Sequence, residues 1–351
     1  MLNSSDGLYD ITIVGGGPAG LFAAFYAGLR EMKTKIIEAD SKLGGKVHVY
    51  PQKMVWDVGG LTPLTGRELI EQSIEQGLSF SPTIVLDQVI TSIEKKNDGT
   101  FLVTTTKGDI HHTKTVVIAT GAGGVIRPMK LEVPRATEFE KKNLHYEVLD
   151  VNDFRGKSLL ISGGGPTSID WGNDLSPIAK DITLIYRGDD LKGLEATKTK
   201  LINNGVNILF NTEIYELIGE NNVNEVVLYN NKKQETFYME VDAVLVNHGY
   251  HKNNPLLKEN SKSTGLELTE HFYIKSNSMG HTNIPGIYGA GDCVLYDGKL
   301  QLIAGAYQDA TNAVNAAKLY IEPDAHKVAQ VSSHNDILDE RNKKYLYEQT
   351  T

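Results

Sequence analysis

Tyr9 to Glu31 reads YDITIVGGGPAGLFAAFYAGLRE. The run Ile11-Thr12-Ile13-Val14 predicts a strand, Gly15 to Gly20 a glycine-rich turn, and the alanine-rich stretch behind it a helix. A G-x-G-x-x-G turn between strand and helix is the fingerprint of a dinucleotide-binding unit. Gly15 turns the chain tightly, Gly17 lets the backbone approach a pyrophosphate, and Gly20 lets the helix pack on the strand, with Pro18 and Ala19 between. The helix N-terminus then offers N–H groups and positive dipole to the phosphates. Thr34-Lys35-Ile36-Ile37 predicts the next strand, and Glu38 closes it. Glu38 lies 18 residues beyond Gly20, near the spacing at which a carboxylate meets a ribose hydroxyl.

The rest of the chain must accommodate this unit. Its 351 residues predict two domains, and 40% hydrophobic with 23% charged residues is ordinary globular composition. A net charge of −9 argues against a general nucleic-acid binder. No apolar run reaches the length of a membrane span, and the polar residues 1–7 show no signal peptide, so a cytoplasmic location is expected. Cys293 stands alone, which excludes an intramolecular disulfide and a CxxC dithiol.

Beyond Glu38, Gly44-Gly45-Lys46 forms a turn whose backbone can approach a ligand closely, and Tyr50 and Trp56 follow on loops. Thr65 with Glu68 predicts a capping box at the start of a helix running to Gly77. Residues 84–93, 101–106 and 109–113 read as strands. Thr115 to Ile118 reads as a buried strand stopped at Gly121, the first expected domain crossing.

The opening pattern then repeats. Ser158 to Ser162 predicts a strand, Gly163-Gly164-Gly165-Pro166-Thr167-Ser168 a second fingerprint, residues 169–179 a helix, and residues 181–185 the following strand. Gly15 to Glu38 spans 23 residues and Gly163 to Arg187 spans 24, so the two units match in internal length. The acid is absent from the second unit and Arg187 stands there instead, which favours a 2′-phosphate and hence NADP over NAD. Residues 206–241 read as a strand-rich crossover, and Ala243 to Val246 as the strand before a second crossing at residues 247–249. At Gly289-Ala290-Gly291-Asp292 a short strand runs into a turn whose Asp292 carboxylate suits a ribitol hydroxyl of a flavin dinucleotide. A helix follows from Ile303 to about Tyr320. These elements predict an α/β chain of two Rossmann-like three-layer domains, the second inserted in the first. Residues 1–121 and 249–330 form the FAD-binding domain, 122–248 the NAD(P)H-binding domain and 331–351 a tail.

GGGPAG with Glu38, the ATG at Ala119 to Gly121, GGGPTS, and GAGD resemble the two-dinucleotide flavoprotein reductases of the thioredoxin-reductase-like branch. Where a thioredoxin reductase carries CxxC, this chain has Asn143-Leu144-His145-Tyr146, so direct disulfide reduction in that manner is excluded. LGGK-x3-YP, NLHY, GD-x4-DGK and VNAAK extend the resemblance over nearly the whole chain to the thioredoxin-reductase-like ferredoxin/flavodoxin–NADP reductases. That resemblance implies a homodimer with FAD, exchange of electrons with NADPH, and a one-electron carrier, ferredoxin or flavodoxin, as partner. It adds Gly45, Lys46, Asp57, Val89, Gly121 and Ile126 to the FAD contacts. Tyr50 would stack on one face of the isoalloxazine, and the tail, at Ser333 or His334, would cover the other.

Three departures bear on the second site. Gly188 replaces an arginine, Lys192 stands where a later arginine would, and Pro166 removes an N–H donor from the turn. Asp189 and Asp190 add local repulsion of an anion, and NADH stays open as the reductant. The expected chemistry is hydride transfer from NADPH to the flavin and one-electron release to the carrier, with no general acid or base among the side chains. The alternatives are reduction of a ferric-iron complex, such as a siderophore or a haem-degradation component, and a redox-sensing flavoprotein with a weakened nicotinamide site.

Overall fold

The computed structural model describes residues 7–122, 125–140, 142–253, 255–258, 265–339 and 341–343. By internal contacts they divide into two compact units. One takes in residues up to His48, Met54–Val125 and the chain from Lys252 on; the other takes in Val49–Lys53 and Ile126–His251.

The first unit is built on a sheet in which Tyr9–Val14 lies centrally, parallel to Thr34–Ile37 on one side and to Ile110–Ile118 on the other. Ile11 and Ile13 are fully buried, because the strand is covered on both faces, as its apolar run implies. Thr83–Val85 extends the sheet in parallel beyond Thr34–Ile37. Residues 109–113 and 115–118, expected as separate strands, form one strand whose two halves share an edge. Residues 110–113 pair antiparallel with Phe101–Thr105, and residues 116–118 pair parallel with the returning strand Ile287–Gly289. The expected strand over 84–93 is broken. Asp87 takes the left-handed conformation (φ 55°), and the amides of Asp87 and Gln88 turn aside to bond the carbonyls of Asp40 and Glu38. Ile90–Lys95 then resumes as the antiparallel neighbour of Phe101–Thr105. The capping box forms as expected: the Glu68 amide donates to Thr65 Oγ1, and Glu68 Oε2 accepts the Thr65 amide, opening the helix Gly66–Gly77.

The second unit centres on a five-stranded parallel sheet in the order Leu144–His145, Ala243–Val246, Ser158–Ser162, Asp181–Tyr186, Asn207–Phe210. Thr212–Ile218, Glu225–Asn230 and Glu235–Glu240 form an antiparallel meander, so only the first strand of the expected crossover joins the parallel sheet. The fingerprint helix is Pro166–Leu175, starting three residues earlier than expected and ending four earlier. A helix at Glu195–Asn203 carries almost no sequence signal, since Leu201 is its one buried side chain and its N-cap makes no side-chain bond.

Both boundaries of this unit differ from 122–248, and Val49–Lys53 departs altogether from the expected 1–121 segment. Lys53 carries that displacement. Its ammonium pairs with Asp174 and lies 4.1 Å over the Trp171 ring, and Gln52 Nε2 donates to the Leu149 carbonyl at 3.1 Å. The segment that follows the last helix, Ile303–Ile321, is bonded back to residues 26 and 30. Arg30, only 6% exposed, donates to Asn315 Oδ1 and to the His326 carbonyl, and the Ala329 amide donates to the Tyr26 hydroxyl. Within the tail, Ser332–His334 and Asp336–Leu338 are single 3-10 turns, while residues 344–351 lie outside the described residues.

Candidate functional site

The three glycines of the first fingerprint are held by three different constraints. Gly15 sits at φ 108°, and a Cβ there would lie 2.5 Å from the Ala119 carbonyl oxygen. At Gly20 a Cβ would lie 1.9 Å from the Gly15 oxygen. Gly17, by contrast, faces open space except for the Gly45 Cα at 3.8 Å, so the one glycine expected to face a ligand is the one with room before it. Gly17 is also the N-cap of Pro18–Leu29 and supplies no side-chain cap, which leaves the first-turn amides to an anion.

Glu38 stands beside this turn, 7% exposed. Its Oε2 accepts the Gly16 amide at 2.6 Å and its Oε1 the Asp40 amide at 2.8 Å. Burial pushes its carboxyl above the ordinary carboxylate range, against the lowering effect of those two amides. Glu38→Gln tests whether both oxygens are needed, because an amide offers one acceptor and turns its NH2 toward the other backbone N–H. The variant is expected to lose FAD affinity by about tenfold, read by fluorescence of released flavin. An unchanged affinity would show that Glu38 contributes nothing at that position.

Some of the other expected contacts of this unit follow the carboxyl ends of the same parallel strands, where open α/β sheets bind ligands. The Gly44 amide donates to Gly16 O at 2.8 Å, and Gly45 (φ 56°) presses on Gly17, so the Gly44-Gly45 turn packs on the fingerprint itself. Lys46 follows in the 3-10 turn Gly45–Val49. Gly121 (φ 67°) follows the strand that neighbours the fingerprint strand and has nothing within 4 Å of its Cβ position. Val89 is half-buried, and its carbonyl accepts the Thr106 amide. Asp292 is half-buried in the turn Gly291–Cys293, and a Cβ on Gly291 would lie 2.9 Å from that of Ala19. Among the described contacts none joins Asp57, Ser333 or His334 to the fingerprint: all three are exposed, and Ser333 Oγ bonds His334 Nδ1. Tyr50 belongs with the second unit, and the side chain of Ile126 lies outside the described residues.

Sequence reasoning missed Asp309. Its Oδ2 accepts the Gly291 amide at 2.9 Å and meets Lys299 Nζ at 3.1 Å, and its Oδ1 accepts the Tyr296 hydroxyl at 2.5 Å. The Lys299 and Asp309 side chains are 1% and 2% exposed, so this is a buried ion pair bracing the turn that carries Asp292. Burial and the Asp309 carboxylate hold the Tyr296 phenol far above its ordinary range, keeping it a donor. A signal was present: Asp309 shares the face of buried Ala306, Ala310 and Ala313, and an acid on an apolar helix face demands a partner. Cys293, in the same turn, is 1% exposed and donates to the Ile118 and Ala290 carbonyls, and burial pushes its thiol up to about 11.

The second fingerprint repeats the geometry. A Cβ on Gly163 would lie 2.4 Å from both the Asn247 carbonyl and Ser168 Oγ. Gly165 has nothing within 4 Å and caps the Pro166 helix without a side chain. Ser168 is buried, its hydroxyl without a hydrogen-bond partner among the described residues, and Thr167 is exposed. Arg187 and Lys192 are both exposed, and the Lys192 amide donates to Gly164 O at 2.7 Å, which ties its loop to the glycine turn. The expected repulsion by Asp190 is offset, since Lys198 Nζ lies 3.0 Å from it. The site thus fits a phosphorylated dinucleotide: an uncapped helix, an open glycine and two solvent-facing cations.

The pyridine nucleotide-disulphide oxidoreductase family model matches residues 9–317. Ferredoxin–NADP reductase 1 of Bacillus cytotoxicus is 49% identical over 97% of each chain, and that of Oceanobacillus iheyensis 47% identical over 96% of this chain and 97% of its own. The chain belongs to the ferredoxin–NADP reductases. Among solved structures, thioredoxin reductase of Lactococcus lactis has a TM-score of 0.69 at 26% identity, covering 89% of this chain and 99% of its own. That of T. acidophilum has the same score and identity, over 91% and 100%. The family is one of flavoprotein oxidoreductases on the thioredoxin-reductase-like fold, working with FAD and NADP. No helix of the described residues is long and apolar enough to cross a membrane.

Proposed function

We propose that this chain passes electrons between NADPH and ferredoxin, with FAD on the first fingerprint and the nicotinamide nucleotide on the second. The observation that carries this reading is the contrast between the two units. Each has an uncapped helix behind a glycine turn, but the first ends its next strand in a buried carboxylate, Glu38, and the second in exposed cations, Arg187 and Lys192. The names of the curated relatives support ferredoxin as the acceptor.

When bound, FAD would supply what no side chain can: acceptance of a hydride and release of its two electrons one at a time, the proton passing to solvent. The residues hold and orient. Gly17 and the first-turn amides receive the FAD pyrophosphate, Glu38 accepts a ribose hydroxyl, and Asp292, braced through Gly291 by Asp309, accepts a ribitol hydroxyl. Gly165 and its helix receive the nucleotide pyrophosphate, and Arg187 with Lys192 the 2′-phosphate. Flavodoxin and ferric-iron complexes are the competing acceptors; a homodimer in the cytoplasm accompanies this reading.

Anaerobic mixing tests it. NADPH is expected to bleach the flavin faster than NADH, and ferredoxin to reoxidise the reduced protein faster than flavodoxin or a ferric siderophore. Faster reoxidation by the ferric complex would move the assignment to an iron reductase. Bleaching by neither nucleotide would leave a redox-sensing flavoprotein.

A further inference from the structure

Tyr186, the last residue of its strand, lies between two glycines. A Cβ on Gly164, in the fingerprint turn, would stand 2.3 Å from Tyr186 Cγ and 2.4 Å from its Cδ2; a Cβ on Gly188 would stand 2.6 Å from Cε1 and 3.0 Å from Cζ. The ring therefore fills the space that side chains at both positions would need. Both glycines sit at ordinary negative φ, so this contact, and not a left-handed backbone, excludes larger residues there.

The loop on which the ring rests is pinned by backbone bonds. Gly164 O accepts the Lys192 amide at 2.7 Å, Gly188 O accepts the Asn211 amide at 2.9 Å, and Arg187 O accepts Asn231 Nδ2 at 3.0 Å. The main chain is thus tied to the glycine turn at Lys192 and to Asn211 and Asn231 at residues 187 and 188, while the Arg187 and Lys192 side chains remain exposed. Asp190, one of the two acids of this loop, is turned to Lys198.

We propose that the Tyr186 ring, clamped between Gly164 and Gly188, is a positioning residue for nucleotide choice: it fixes the Arg187–Lys192 loop against the glycine turn and so sets the preference for a 2′-phosphorylated nucleotide. This rests on the assignment of the second fingerprint to NADPH. Gly188 then belongs to the clamp, and an enlarged residue there disturbs the loop from the opposite side to a shortened Tyr186.

The test uses FAD-loaded wild type, Tyr186→Phe, Tyr186→Ala and Gly188→Ala, with kcat and KM for NADPH and NADH, and calorimetric binding of 2′,5′-ADP and of 5′-AMP to the oxidised protein. Tyr186→Ala and Gly188→Ala are each expected to raise KM for NADPH and Kd for 2′,5′-ADP about tenfold, with kcat and AMP binding changed by less than about twofold. Tyr186→Phe keeps the ring and is expected to match wild type. Equal weakening toward both nucleotides, or an unmoved NADPH-to-NADH ratio in both alanine variants, overturns the clamp. Wild-type flavin that neither nucleotide reduces overturns the functional assignment instead. Should Tyr186→Ala fail to hold flavin, Gly188→Ala decides alone.

Discussion

Gly20→Ala is expected to leave the protein without flavin. The added methyl would sit 1.9 Å from the Gly15 carbonyl oxygen and 3.0 Å from its carbon, both backbone atoms of the turn that must meet the pyrophosphate. Helix propensity favours alanine by about 1 kcal/mol, and overpacking against immovable backbone costs about 1–3 kcal/mol or more, so steric displacement wins. The turn would open, and FAD affinity would fall by about a hundredfold, equivalent to about 2.7 kcal/mol. Gly17→Ala separates the ligand from the fold: its Cβ meets only Gly45 Cα at 3.8 Å, so the apoprotein should melt as wild type does while FAD binding drops. The ratio of flavin to protein absorbance after purification, with the melting temperature of each apoprotein, reads both effects. A Gly20→Ala protein that retains its flavin would remove the first fingerprint from the FAD site.

Lys299→Met is expected to be strongly destabilising. It leaves the Asp309 carboxylate, 2% exposed, with the Tyr296 hydroxyl and the Gly291 amide but no cation. Breaking one side of a buried pair costs about 3–5 kcal/mol, because the remaining charge stays desolvated. Lys299→Met with Asp309→Asn removes that charge and keeps an acceptor for Gly291, so the double variant should be the more stable of the two. Thermal melting monitored by flavin release would compare them. Equal melting of Lys299→Met and wild type would mean that the pair contributes nothing.

The features legible in the sequence were those set by short-range geometry. Gly15, Gly17 and Gly20 have distinct steric duties within six residues, and Thr65 with Glu68 closes a cap within four, so each can be read locally. What escaped was decided at long range. Val49–Lys53 joins the second unit because Lys53 finds Asp174 and Trp171 more than a hundred residues away. The strand over 84–93 breaks because its amides prefer the Glu38–Asp40 turn. Gly188 read as a lost arginine, yet the Tyr186 ring occupies the volume any side chain there would take. Asp189 and Asp190 read alike, and only tertiary contacts place Asp190 against Lys198.

The solitary thiol has a practical consequence. Cys293 is sealed between two carbonyls and kept protonated well past neutral pH, so alkylating dyes and spin labels should pass over the native chain. A cysteine introduced at any exposed position would then be the one reactive thiol, and the wild-type sequence already serves as a blank background for single-site spectroscopic reporters.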